Sequence, residues 1–207
     1  MADELGREDA QAAIELARTA IESYVNDGKR ERPGCMEEVF YERTGVFVKL
    51  TSTRGPGRVR GSAGSFRREK QLSDAIVDAA IEAASGTTGR SEVERCELEA
   101  LAVTLCLLDG IEELGRDADD ELTVGRHGLI VEGGDGSAWM LPTMPVECDW
   151  SATEFLDRTC CKAGLSRGAW RDDDVTVYGF DGVIYREDEP AGTATVVEPR
   201  PETGVTQ

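Results

Sequence analysis

The sequence predicts an α+β fold, an antiparallel sheet with flanking helices. Three observations carry this. Apolar residues recur at helical spacing in a few well-separated segments. Short stretches rich in β-branched and aromatic residues come in pairs around Gly-rich turns, as in hairpins. Helices and strands do not alternate with the regularity of a doubly wound sheet.

Residues 8 to 26 form the first expected helix, with Ile14, Ala17, Ile21, Tyr24 and Val25 on one face and Asp27-Gly28 as its stop. Lys29 to Pro33 is charged and reads as a loop. Gly45 to Thr51 is strand-like, Arg54-Gly55-Pro56-Gly57 is a turn, and Arg58 to Gly61 resumes an extended pattern, giving a hairpin. Gln71 to Ala84 is a second helix, broken by Ser85 to Gly89. Leu98 to Leu108 fits either period; Val103, Thr104 and the Asp109-Gly110 pair that follows favour a strand ending in a turn. His127 to Glu132 and Ser137 to Leu141 flank a Gly-rich turn, and Pro142 and Pro145 mark an irregular connection. Ser151 and Glu154 have the spacing of a capping box, opening a helix that runs to about Ala163 with Gly164 beyond it. Asp174 to Phe180 and Val183 to Glu187 are expected to form a hairpin around Asp181-Gly182. From Asp188 to Gln207 the chain turns to Pro, Glu, Thr and Gly, which predicts a disordered tail.

With 207 residues the chain suits one large domain or two small lobes. Its 41 acidic and 23 basic residues give a net charge of −18, and only Lys29, Lys49, Lys70 and Lys162 are lysines. The acids are spread between apolar positions, the pattern of a folded surface adapted to high salt, where a short Debye length relieves self-repulsion. This charge excludes a nucleic-acid stripe. The one basic cluster, Arg54, Arg58, Arg60, Arg67, Arg68 and Lys70, suits a small anionic site instead. The acidic N-terminus is unlike a secretory leader, and no apolar run approaches the roughly 18 residues of a membrane helix. The expectation is a cytoplasmic protein with no membrane segment. Six cysteines without a C-x-x-C pair, and a single histidine, predict no metal site, and no cofactor is expected. The thiols are expected to be free and mostly buried.

Four constellations have residue types that chemistry needs. In Val59-Arg60-Gly61-Ser62-Ala63-Gly64 the glycines allow a backbone to approach a ligand, and Arg60 offers a fork to a carboxylate or phosphate; the same glycines also serve a bulge or tight turn. Ser62 with His127 has the types of a nucleophile and its base, without the surrounding elbow motif. Glu147 near Trp150 has the types of a tuned acid or base, or of a solvated loop carboxylate. Lys162, in Cys160-Cys161-Lys162-Ala163-Gly164-Leu165, stands where a cation complements a helix C-terminus. Arg60, Gly61, Ser62 and Gly64 are the candidate ligand-binding residues, and Ser62, Glu147 and Lys162 the catalytic candidates.

Taken in order, Gly45-Val46-Phe47-Val48, Val59 to Gly64, Gly125 to Val131, Leu141-Pro142 with Glu147 and Trp150, Phe155-Leu156, and Lys162 to Leu165 with Trp170 resemble the AMMECR-type domain family over roughly residues 8 to 187. The resemblance implies a two-lobed α+β fold with a cleft between the lobes. It implies a site at the segment that in the family reads Leu-Arg-Gly-Cys-Ile-Gly, where this chain keeps Arg60, Gly61 and Gly64 but has Ser62 for the cysteine and Ala63 for the isoleucine. It also implies an accessory small-molecule pathway, in which the chain binds or modifies a small molecule. The alternative is a non-catalytic interaction module for a Memo-like or radical-SAM protein.

Overall fold

The first helix, α1 (Arg7–Asp27), buries Ala10, Ala13, Ile14, Ala17, Ala20 and Ile21, the stripe its periodicity predicts. Gly28 ends it in the left-handed conformation (φ 65°), its N–H bonding back to the Tyr24 carbonyl at 2.8 Å. This is the computed structural model of the chain, and it describes residues 5–55, 58–86, 91–134 and 136–197. The described residues divide into two compact units, one comprising the chain up to Asp109 with Val183–Val197, the other Gly110–Gly182.

In the first unit, a 3-10 turn at Glu38–Tyr41 leads into β1 (Gly45–Ser52) and β2 (Arg58–Ser65), paired antiparallel as the hairpin pattern predicts; Pro56 and Gly57 of its turn lie outside the described residues. Helix α2 (Leu72–Ala84) follows, and its predicted break at Ser85 to Gly89 is described only as far as Gly86. A 3-10 helix, Arg95–Ala100, takes up Leu98, and β3 (Leu101–Leu114) begins after it. Strand β1 lies between β2 and β3. One sheet face sends Val46, Val48, Leu50, Ala63, Val103, Leu105 and Leu107 into a core shared with α1 and α2. The small residues of α2 bring it close to β2: a side chain at position 61 would collide with the Ala83 carbonyl.

The second unit holds α3 (Ala118–Glu121), the hairpin of β4 (Gly128–Gly133) and β5 (Gly136–Met140), α4 (Thr143–Glu147), α5 (Ala152–Lys162) and most of β6 (Val175–Glu187). Strand β4 pairs with β5 on one side and β6 on the other. Its core is separate from the first, built on Leu129, Val131, Phe155, Leu156, Cys160, Trp170 and Val177. The capping box of α5 is formed: Ser151 accepts the Glu154 N–H at 3.2 Å and Glu154 accepts the Ser151 N–H at 3.3 Å. Asp157 accepts from the Trp170 indole (3.0 Å) and the Gly168 N–H (2.9 Å), tying the end of the unit to this helix.

Four local expectations are corrected. Asp109-Gly110 is not a turn: β3 runs through it to Leu114, Gly110 absorbing a kink at φ 54°. Asp181-Gly182 is not a hairpin turn either, because β6 is one continuous strand. There Asp181 is clamped by the Arg126 guanidinium through two 3.0 Å bonds, and a side chain at Gly110 would meet its carboxylate. Residues flanking both dipeptides are paired in ladders, Leu108 with Gly45 and Phe180 with Gly128, and this pairing outweighs the local turn preference. The Pro142–Pro145 stretch is helical in α4; Pro145 falls in the first turn of that helix, where a missing N–H costs nothing. Finally, part of the expected tail is ordered: β7 (Ala194–Val197) pairs with Ile184–Glu187 of β6, and Ala194 is buried. Residues 198–207 lie outside the described residues.

Candidate functional site

Strand β2 presents its residues alternately. Gly61 and Ala63 are buried toward α2, while Ser62 and Gly64 lie on the opposite face, half-buried. Arg60 has no partner in the β1–β2 register, which passes from Leu50↔Gly61 to Thr51↔Val59, so it is the extra residue of a β-bulge. The glycines therefore serve packing as well as shape. Gly61 is where α2 meets the strand, and Gly64 (φ 150°) is where a side chain would collide with the Val46 carbonyl and Phe47.

The bulge sends Arg60 to Glu97, its Nε 2.5 Å from Oε1 and its Nη2 2.8 Å from Oε2, with a third bond of 3.3 Å to the Glu92 carbonyl. Hydrogen bonding from Arg60 holds the Glu97 carboxyl below its ordinary value, against the opposing effect of burial. Around this pair lies an open recess of about 500 Å³, lined by Ser52, Arg54, Arg58, Arg60, Ser91, Glu94 and Glu97. Both its carboxylates have work within the fold, since Glu94 and Glu97 form the capping box of the 3-10 helix. Arg54 donates to the Cys96 carbonyl at 3.1 Å. Arg58 is exposed at the rim. A smaller recess of about 160 Å³ includes Gly64, Ser65, Arg67 and Lys70. The candidate ligand residues are thus near neighbours in sequence, but these two recesses of the described residues do not bring them together. Arg60 belongs to the first recess and Gly64 to the second, and neither is lined by Gly61 or Ser62.

Sequence reasoning missed what stands beside Ser62. In the β1–β2 and β1–β3 registers Ser62, Lys49 and Thr104 form one row across three strands. They share the sheet face that points away from the α1–α2 core. The scarcity of lysine in this chain is the one sequence signal that could have singled out Lys49.

The remaining candidates belong to the second unit. His127 accepts the Thr123 N–H on Nδ1 (3.1 Å), and its Nε2 lies 4.0 Å from Asp181 Oδ1. Ser62 and His127 therefore fall in different units. Glu147 is the exposed last residue of α4, and the face of Trp150 is covered by the Arg158 guanidinium, 4.4 Å from the ring centre. Lys162 ends α5, donates to the Trp139 carbonyl at 2.6 Å and lies 4.8 Å from that ring's centre, consistent with a helix-terminal cation. The cysteines are free, but four of the six (Cys35, Cys96, Cys148 and Cys161) are exposed, which corrects the expectation of mostly buried thiols. Burial pushes Cys106 up to about 12 and Cys160 up to about 11, so neither holds a thiolate at neutral pH. Among the described residues no group of His, Cys, Asp and Glu is placed to hold a metal ion, and no helix is long and apolar enough to cross a membrane.

The AMMECR1 family model matches residues 14–185. The chain belongs to the AMMECR1 family. Protein VNG_2543C of Halobacterium salinarum is 46% identical over 190 residues, covering 88% of this chain and 90% of that one. A Thermococcus gammatolerans protein is 39% identical over 185 residues, with coverage of 86% and 90%. The crystal structure of the uncharacterized protein PH0010 from Pyrococcus horikoshii has a TM-score of 0.85 at 34% identity, covering 94% of this chain and 98% of its own. The AMMECR1 match spans β1 to β6, and so includes the Arg60–Gly64 segment together with Glu147 and Lys162.

Proposed function

We propose that this AMMECR1-family protein binds a small anionic molecule in an accessory small-molecule pathway, and that the anion enters at the arginine recess of the first unit. One observation carries the reading: Arg54, Arg58 and Arg60 converge with Ser52 and Ser91 on a single open recess where they outnumber its two carboxylates, Glu94 and Glu97, in a chain of net charge −18. Guanidinium forks match carboxylate and phosphate oxygens in pairs. An acidic surface elsewhere leaves such a recess the favoured landing place for an anion. Arg60 is engaged by Glu97, so it shapes the recess, and Arg58 at the rim is the group that meets the ligand.

The test is a thermal-shift screen of carboxylate and phosphate metabolites in molar KCl, on wild type and Arg58→Glu. A ligand at 100 times its dissociation constant adds about 2.7 kcal/mol of stability. A hit that Arg58→Glu loses, with its unliganded melting temperature unchanged, supports the recess. A hit of equal size in both proteins places the ligand elsewhere. A silent panel favours the interaction module, to be pursued by pull-down with a Memo-like or radical-SAM protein.

A further inference from the structure

We propose that the arginine recess of the first unit takes an anion borne on a polyhydroxylated carbon chain, a sugar phosphate or a sugar acid, with Arg58 on the charged group and Ser52, Ser91 and Glu94 on the hydroxyls. The proposal rests on that recess being where the anion enters, and extends to the rest of the ligand.

The lining is uniform in kind. Among the described residues it consists of arginine, serine and glutamate alone, with no aliphatic or aromatic side chain. Sites for ring systems are built mostly from apolar and aromatic side chains, which take the flat faces of the ring out of water. A nucleobase or an aryl acid finds no such surface here. Yet the recess, at about 500 Å³, has room for more than a single oxyanion. The remainder of a ligand that fills it must therefore be polar.

The hydrogen bonds already made decide which groups stay open to a ligand. Arg60 and Glu97 satisfy one another through bonds of 2.5 and 2.8 Å and act as a wall. Arg54 commits one nitrogen to the Cys96 carbonyl at 3.1 Å. Arg58 is exposed and makes no hydrogen bond or ion pair among the described residues. The Ser52 hydroxyl accepts the Arg54 N–H at 3.2 Å, which leaves its own proton to donate. Ser91 is exposed. Glu94 is exposed too. It accepts the Cys96 thiol at 3.7 Å but forms no salt bridge among the described residues, although three guanidiniums line the same recess.

These open groups are of both senses. Arg58 only donates, Glu94 only accepts, and the serine hydroxyls do either. A bare oxyanion has acceptors alone and leaves Glu94 facing a like charge. A hydroxyl is donor and acceptor at once, so a chain of hydroxyls engages Glu94 and the serines while its charged end reaches Arg58. The charges agree with this. Three guanidiniums against two carboxylates leave a positive excess, which an anionic ligand cancels and a zwitterion of no net charge does not.

Isothermal titration calorimetry on the full chain compares each hydroxylated anion with a bare and an aryl counterpart: sorbitol 6-phosphate with inorganic phosphate and phenyl phosphate, gluconate with acetate and benzoate. The two sets tell a phosphate head from a carboxylate. At least one hydroxylated anion is expected to bind about tenfold or more tighter than both its counterparts, the effect of one or two added hydrogen bonds. Glu94→Gln is expected to cut that preference by about threefold or more. The preference is the readout because removing a negative charge raises affinity for every anion alike. If the capping box does not tolerate Glu94→Gln, Ser91→Ala, at an exposed position, is expected to reduce the same preference. Arg58→Glu is expected to abolish all binding. Arg58-dependent binding in which the bare or aryl anions match the hydroxylated ones overturns this proposal and leaves the anion recess standing. A preference that neither Glu94→Gln nor Ser91→Ala reduces overturns it as well. No binding of any of these compounds, or binding that Arg58→Glu does not weaken, overturns both.

Discussion

Glu187 shows how much one side chain can hold. Its carboxylate is 1% exposed and accepts two bonds from Arg18 of α1, at 2.7 and 2.5 Å, and one from the Val103 N–H of β3, at 2.8 Å. Arg18 also donates to the Leu101 carbonyl at 2.7 Å. Helix α1, the start of β3 and the end of β6 thus share one buried ion pair. Replacing a buried pair wholesale with apolar residues can be neutral, but removing one partner strands the other charge. Glu187→Gln is therefore expected to lower unfolding free energy by about 3 kcal/mol or more, measured by denaturant titration in molar KCl. Gly61 makes the converse point: its value lies in the side chain it lacks, because α2 occupies that space.

At the scale of elements, the 3-10 helix and the bulge of β2 are joined by Arg60 and Glu97. Arg60 stays charged throughout the accessible pH range, so only Glu97 titrates. The folded state holds the Glu97 carboxyl below its unfolded value through the bond from Arg60. The stabilisation is then fully present above the ordinary glutamate value of about 4.3. It is lost as pH falls through the lower folded value. Glu97→Gln is expected to flatten this acid limb of the stability–pH curve. The pair is partly exposed, so the change at neutral pH is about 1 kcal/mol or less. Denaturant midpoints at pH 3 to 7, wild type beside variant, check the sign.

For the molecule as a whole, net charge is the term that salt changes. Forty-one carboxylates against 23 cations repel one another over the whole chain. At molar salt the screening length is about 3 Å, and repulsion beyond contact pairs disappears. Stability is expected to rise steadily from 0.1 to 2 M KCl. Exposed ion pairs such as Arg30 with Asp74 and Asp78 are weakened by the same screening, a smaller term of opposite sign. Thermal melts across that salt range measure it, and a fall in melting temperature would count against the reading of the acidic surface.

Sequence by itself determined the elements whose information is local. Periodicity marked α1 and α2, the Ser151–Glu154 box marked the start of α5, and the family motifs in order marked the AMMECR1 membership that the family model and relatives then showed. Local signals failed where distant pairing overrode them, at Asp109-Gly110, at Asp181-Gly182 and at Ala194–Val197. The site was legible only in part for the same reason. Arg60 and Ser62 stand two apart in sequence, yet a bulge turns the arginine to Glu97 and leaves the serine facing the opposite side of the strand from Gly61. That Lys49 lies between Ser62 and Thr104 depends on the register of two ladders, and register is set by packing one whole sheet face against α1 and α2. No single segment holds that information, so tertiary structure alone decided it.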